Sequence, residues 1–249
     1  MAGDLVISTI NGQAIGTKNV IIDGNFNVNQ RGVSGTVTLA AGAYGHDRWK
    51  GGASGCTYTF ATVANVTTLT ISAGSLIQVV EGLNLQSGTY TLSFSGTAQG
   101  KINGGSYSAS GVTGTATGGT NMSIEFNTGT LSLVQLEKGS TATSFDYRPY
   151  GTELGLCQRY YIQDAAAGVD AYTVLGSNVI GTYYFPVYMR ASPTITQNGA
   201  VVISDGTAAT SFSTNPAPYS GPNKQLFSVT SNATGRGYLY RPVQFSAEL

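Results

Sequence analysis

The sequence predicts an all-β protein, and three observations carry that expectation. Apolar and polar residues alternate strictly over many short runs. Thr, Val and Tyr are abundant, and 34 glycines punctuate the chain where turns are needed. Long stretches of helical periodicity are absent. Many short strands at even spacing with Gly-rich connections read as a β-sandwich or jelly roll.

Taken in chain order, residues 4–10 read as one strand and Asn11-Gly12 as a turn. The first 18 residues therefore form an arm. Cys56, Tyr58 and Phe60 share one strand face, with Thr57 and Thr59 opposite. Tyr90, Leu92 and Phe94 repeat the pattern against Thr89, Thr91, Ser93 and Ser95. Residues 99–120 are nearly all Gly, Ser, Thr and Ala, and read as either a long exposed loop or, the preferred reading, a loose pair of edge strands through Tyr107. Ile124 and Phe126 alternate with Ser123 and Glu125. In residues 131–136 the parity changes between Leu133 and Val134, which predicts a β-bulge.

The alternation stops at residues 146–151, where Pro149 and Gly151 mark a boundary. Thr152 is expected to cap a short helical turn through Glu153, Leu154 and Leu156. Strands resume at residues 160–162, 183–189, 194–196, 226–230 and 238–245. The division is thus an arm at 1–18, a jelly-roll domain at 19–150 and a smaller β-sandwich at 151–249.

Composition bounds the function. Charged residues are 10% of the chain, against about 25% in typical soluble proteins, and 12 Lys+Arg balance 12 Asp+Glu. A nucleic-acid surface needs clustered Lys and Arg, so that partner is not expected. No run approaches the ~18 apolar residues of a membrane span, so membrane insertion is not expected either. The stretch MAGDLVISTINGQ has no basic region followed by an apolar one, so synthesis in a cytosol without a signal peptide is expected. Cys56 and Cys157 lie far apart, which supports neither a disulfide framework nor a Cys-based zinc site. Cys157, beside Leu154 and Leu156, reads as a buried free thiol. With His46 the single histidine, a Ser-His or Cys-His catalytic machine would have to centre there.

Three stretches stand out together. Asn25-Phe26 and Gln30-Arg31-Gly32 lie in IIDGNFNVNQRG, and Asp47-Arg48-Trp49 follows. The long run from Gln135 through Asp146-Tyr147-Arg148-Pro149-Tyr150 continues to Gln158-Arg159-Tyr160-Tyr161. Over roughly residues 19–161 this combination resembles a family of bacteriophage tail-fibre or receptor-binding virion proteins, whose N-terminal half resembles a carbohydrate-binding-module jelly roll. Residues 185–194 resemble the tip-like part of such proteins. His46 departs from the family pattern, which has Ala before Asp-Arg-Trp. The resemblance implies a fibre-like homotrimer in the virion that binds cell-surface glycan. Residues 1–18 would attach to other virion proteins.

Trp49 is either a stacking platform for a sugar or a core residue, with Arg48 and Asp47 pairing at its rim. Gln30 and Arg31 read as structural, with Asp23, Asp47 and Asp146 as partners for the guanidinium, and Arg148 belongs with them. A calcium ion of the kind carbohydrate-binding jelly rolls carry would find oxygen ligands in Asp23, Asn25 and Asp146. No other cofactor is expected. Many of the 15 tyrosines follow residue 145. Tyr183 and Tyr184 open an apolar run to Met189 whose two strand faces both read as buried. That assigns Tyr183, Tyr184, Tyr188, Tyr238 and Tyr240 to a subunit interface. Between residues 210 and 224, Asn215, Tyr219 and Asn223 offer stacking and hydrogen bonds for a glycan. A glycosidase needs two carboxylates about 5–9.5 Å apart, and no motif marks such a pair. The expected function is non-enzymatic attachment to bacterial surface polysaccharide. The alternatives are a structural virion component, as capsid decoration or head fibre without its own receptor, and a glycoside hydrolase.

Overall fold

The computed structural model describes residues 9–10, 13–14, 18–173, 178–197, 211–214, 221–230 and 235–249. The chain is an all-β protein of the sandwich class with one α-helix among the described residues. It divides into two compact units, residues 1–154 with Leu249, and residues 155–248. Near the start, β1 (Thr9–Ile10) pairs antiparallel with β2 (Gln13–Ala14). Residues 4–8 and the Asn11-Gly12 turn lie outside the described residues.

The first unit holds β3 (Val37–Leu39), β4 (Lys50–Val63), β5 (Val66–Val80), β6 (Gly88–Ser95), β7 (Gly100–Ile102), β8 (Val112–Ala116), β9 (Met122–Phe126) and β10 (Gly129–Lys138). Their order is β3-β4-β5-β10-β6-β8, with β9 beside β5 and β7 beside β9. Two strands change partner along their length. β5 pairs with β10 through residues 69–71 and with β9 through residues 76–80. β10 leaves β5 after Leu131 and joins β6 from Ser132 onwards. Partner switches of this kind turn the corners of a sandwich and let the two inner faces meet.

The predicted bulge lies at the second switch. The β10–β6 register shifts between Ser132 and Gln135, and Leu133 takes a left-handed φ of 49°. The extra residue resets the parity, so Leu131, Val134 and Leu136 are all fully buried. The turn between β4 and β5 is made by Ala64 and Asn65, both left-handed at φ 48° and 62°. Two such residues match the twist of a tight hairpin.

Alternation delivers the core as expected. Cys56 and Tyr58 on β4, Tyr90, Leu92 and Phe94 on β6, and Ile124 and Phe126 on β9 are all buried. Trp49 sits among them, 5.0 Å from the Phe26 ring and 6.0 Å from Phe126. Both cysteines are buried free thiols.

Three elements differ from the sequence expectation. Tyr107 falls in the connection between β7 and β8, which is tied to neighbouring strands by the bridge Gly100–Ser108 and by the amides of Asn103 and Gly111 donating to the Ser123 and Leu92 carbonyls. The helix α1 (Tyr150–Gln158) begins before Thr152. The carbonyl of Pro149 accepts from the Thr152 and Glu153 amides at 2.9 and 3.1 Å, so Pro149 opens the helix. The third difference falls in the second unit.

That unit contains β11 (Tyr161–Thr173), β12 (Asn178–Tyr184), β13 (Thr194–Gln197), β14 (Ser211–Thr214), β15 (Lys224–Thr230) and β16 (Gly235–Ser246). They form two three-stranded antiparallel sheets, β11-β16-β13 and β12-β15-β14. Tyr183 of β12 stacks on Phe245 of β16 with ring centroids 5.2 Å apart, which puts one sheet against the other. The strand expected over 183–189 ends at Tyr184. Pro186 has no N–H to continue a ladder, so the two-faced reading of that run fails beyond Tyr184.

At Gly24 a β-carbon would stand 2.1 Å from the Val134 carbonyl oxygen, beside the bulge. Overpacking of this kind costs about 1–3 kcal/mol. Gly24→Ala is expected to lower the urea midpoint of the full chain, and a midpoint equal to wild type would show that the contact is dispensable.

Candidate functional site

The site grows from a segment that has no strand partner. Residues 19–28 are buried almost throughout yet belong to no sheet. Buried peptide groups need hydrogen bonds, and here side chains from distant parts of the first unit supply them. Asn19 Oδ1 accepts from the Ile21 and Leu136 amides at 2.9 and 3.0 Å. Gln78 bonds both the amide and the carbonyl of Ile22, at 2.9 and 2.7 Å. Glu153 accepts from the Asp23 amide at 2.5 Å. The Arg148 guanidinium donates to the carbonyls of Asn19 and Ile21 and pairs with Glu153 at 3.2 Å.

The motif residues hold this frame. Trp49 is fully buried, and its Nε1 donates to the Asp23 carbonyl at 3.0 Å. It therefore offers no face to a sugar, and the stacking role considered for it is replaced by a core role. Asp47 accepts from the Gln30 amide at 2.7 Å and from its side chain at 2.6 Å, with Arg31 3.9 Å away. Arg48 donates to the Val79 carbonyl at 2.8 Å. Asp146 accepts from the amides of Lys18 and Asn19 at 2.8 and 3.4 Å.

Two of the three calcium ligands suggested by the resemblance, Asp23 and Asp146, each carry a hydrogen bond of the fold through one carboxyl oxygen. Asp146 is committed to those amides, and Asp23 Oδ1 accepts from the Val28 amide at 2.9 Å. Among the described residues no group of three or more His, Cys, Asp or Glu could hold a metal ion. Asn25 Oδ1 and Asp23 Oδ2 are buried without a hydrogen-bond partner among the described residues. Burial, foremost, pushes the Asp23 carboxyl well above its usual range, with Asp47 and Glu153 adding to the rise. A neutral carboxyl is the form that this setting favours.

Above the frame lies an open cleft of about 680 Å3, formed wholly within the first unit. That volume falls inside the ~300–1,000 Å3 of small-ligand sites. One wall is the tip of the β4–β5 hairpin, with Thr62, Asn65 and Thr67. The facing wall is residues 147–150 at the start of α1, and Asn25, Asn27, Asn29, His46 and Phe60 complete the lining. Two bonds to one carbonyl hold the walls: Asn27 Nδ2 and the Tyr147 hydroxyl both donate to Asn65 O, at 2.7 and 3.2 Å. Thr67 Oγ1 donates to Asn27 Oδ1 at 2.9 Å. Tyr147 and Tyr150 remain 53% and 60% exposed, although large aromatic rings are ordinarily covered.

His46 closes the inner end. Its Nδ1 lies 2.9 Å from the Tyr58 hydroxyl, and its ring meets Phe60 edge-on at 4.6 Å. Burial lowers its pKa to about 4, so it is neutral at physiological pH. The hydroxyl of Tyr58 is itself pushed up to about 12 by burial.

The other predicted residues lie elsewhere. Asn223 is exposed in the second unit, while Asn215 and Tyr219 lie outside the described residues. Tyr183 is half-buried and donates to Asp164 at 2.7 Å, so its ring is used inside its own unit. Tyr184 and Tyr188 are 70% and 64% exposed. Tyr238 and Tyr240 fall on β16, with their side chains outside the described part of the chain. The cleft residues Tyr147, Tyr150, Asn65 and Thr62 were missed as site residues. The signal for two of them was present, as Tyr147 and Tyr150 flank Arg148-Pro149 at a domain boundary.

No protein-family model, no curated protein and no solved structure matches this chain.

An unfolded histidine titrates near 6.5, and His46 in the fold near 4. Between these values the unfolded chain binds a proton that the folded chain refuses. Stability thus falls as pH drops from 6.5 towards 4, by about 3 kcal/mol in total. The raised carboxyls of Asp23 and Glu153 act in the opposite sense. The comparison is therefore wild type against His46→Ala, in urea unfolding at pH 7 and pH 4.5. The variant is expected to lose less stability on acidification, and parallel losses would refute the neutral buried imidazole.

Proposed function

We propose that this chain is a non-enzymatic phage virion protein, a tail-fibre or receptor-binding protein that attaches to glycan on the bacterial surface. The observation that carries the reading is the open cleft lined by two exposed tyrosines together with amides and hydroxyls. Aromatic rings suit the apolar faces of pyranoses, and amides and hydroxyls suit their hydroxyl rims. The sequence resemblance to phage receptor-binding proteins supports the same reading, and supplies the homotrimer, the virion location and the attachment role of residues 1–18.

The chemistry favours binding over hydrolysis. Among the described residues, Glu153 is the one carboxylate lining the cleft, and it is held by the Arg148 guanidinium and the Asp23 amide. A hydrolase of the two-carboxylate type would need a second acid across the sugar.

The test is retention of the full chain by immobilised envelope polysaccharide from the bacteria of the phage's habitat. A stacking ring contributes about 1 kcal/mol, or roughly fivefold in affinity. Tyr150→Ala is expected to weaken retention by about that factor with its thermal midpoint unchanged because the ring is exposed, and Tyr147→Ala to weaken it similarly while also losing the hydroxyl bond to Asn65 O. Leu83→Ala, at an exposed position outside the cleft lining, is the control. Retention indifferent to both tyrosines would overturn the assignment to this cleft. Light scattering is expected to give a mass of three chains at all concentrations, and a monomer would remove the trimer.

A further inference from the structure

We propose that the cleft selects electrically neutral polysaccharide and rejects glycans carrying uronate, sialate or phosphate. The proposal rests on the glycan-binding reading above and adds the chemical class of the ligand.

The argument is one of charge. Arg148 and Glu153 are the charged residues of the lining, one of each sign, paired at 3.2 Å and both largely buried. The remaining N–H groups of Arg148 are directed in part at the carbonyls of Asn19 and Ile21, so the guanidinium serves the frame. His46 lines the inner end as a neutral imidazole whose Nδ1 is engaged by Tyr58. Among the described residues no other basic side chain lines the cleft.

An anionic sugar entering this space would have to be stripped of water without gaining a counter-charge, which is costly. It would also approach the carboxylate of Glu153, which lines the cleft and is held in place by the Asp23 amide. The Nε of Arg148 is buried without a hydrogen-bond partner among the described residues, but using the whole guanidinium as a counter-charge would weaken its bonds to Glu153 and to two buried carbonyls. A neutral sugar meets none of these costs. The exposed tyrosine rings take its flat face, and the Thr62 hydroxyl and Asn65 amide at the hairpin tip meet its hydroxyls.

The experiment uses the full chain on an array of purified bacterial polysaccharides, half neutral and half bearing uronate, sialate or phosphate, at 20 mM and 500 mM NaCl (roughly spanning weak to strong screening). The expected result is binding confined to neutral glycans, changing by less than about twofold between the two salts, and weakened by Tyr150→Ala. Binding to acidic glycans that collapses at high salt, but is still weakened by Tyr150→Ala, would overturn the neutral class and leave the glycan-binding cleft in place. Absence of binding to either half would overturn the glycan reading itself, and this inference with it.

Discussion

The first unit depends on how residues 19–28 are satisfied. A strand hands its amides to a neighbour, but this segment is buried with no ladder to join. Each of its peptide groups would cost on the order of 1–3 kcal/mol if left unpaired. The bonds come instead from Asn19, Gln78, Arg148, Glu153, Trp49 and the backbone of Val134. Apart from Asn19, which lies in the segment itself, those donors and acceptors reach it from β5, the β10 bulge, the start of α1 and the residue preceding β4. One irregular stretch therefore ties together elements that the strand ladders alone would leave independent.

The cleft inherits its properties from that arrangement. Asn25, Phe26 and Asn27 are placed by the same segment, and Arg148 and Glu153 are both lining residues and part of its support. Left-handed φ values at Asp23, Phe26 and Arg48 gather in the same place. Such conformations cost about 1–3 kcal/mol each and persist only where surrounding bonds over-determine them. The charges beneath the cleft are thus committed to the fold, which is why the space above them is polar and uncharged together.

The strand content was legible in the sequence because alternation is a direct image of a half-buried sheet. The bulge at Leu133 was legible for the same reason. A strand has a strict period of two, so a change of parity inside one requires an extra residue. Two readings failed where a local signal outweighed the pattern. Pro186 ended the strand that the Tyr183–Met189 alternation implied, and Pro149 started the helix before Thr152. The cleft was not legible, because its lining comes from short stretches near residues 25–29, 46, 60–67 and 147–153 that only the fold brings together. Trp49 carried opposite readings for a related reason. A lone Trp beside an Asp-Arg pair looks the same in sequence whether its indole donates to a sugar or to the Asp23 carbonyl.

The two walls of the cleft carry different structural duties. Residues 147–150 belong to the run that the resemblance covers, and among them Arg148 and Pro149 hold the frame and open the helix. The hairpin tip does less. Thr62 and Asn65 are exposed, Val63 is 75% exposed, and the tip's structural demand is a pair of left-handed residues at the turn. Thr62 reaches residues 19–28 only through the Thr67 hydroxyl that bonds Asn27, and the Asn65 side chain makes no bond to them, whereas Arg148 bonds two of their carbonyls directly. A cleft built this way separates its concerns: the helix-side wall and floor maintain the shape, and the hairpin tip is free to vary the hydrogen bonds offered to a ligand.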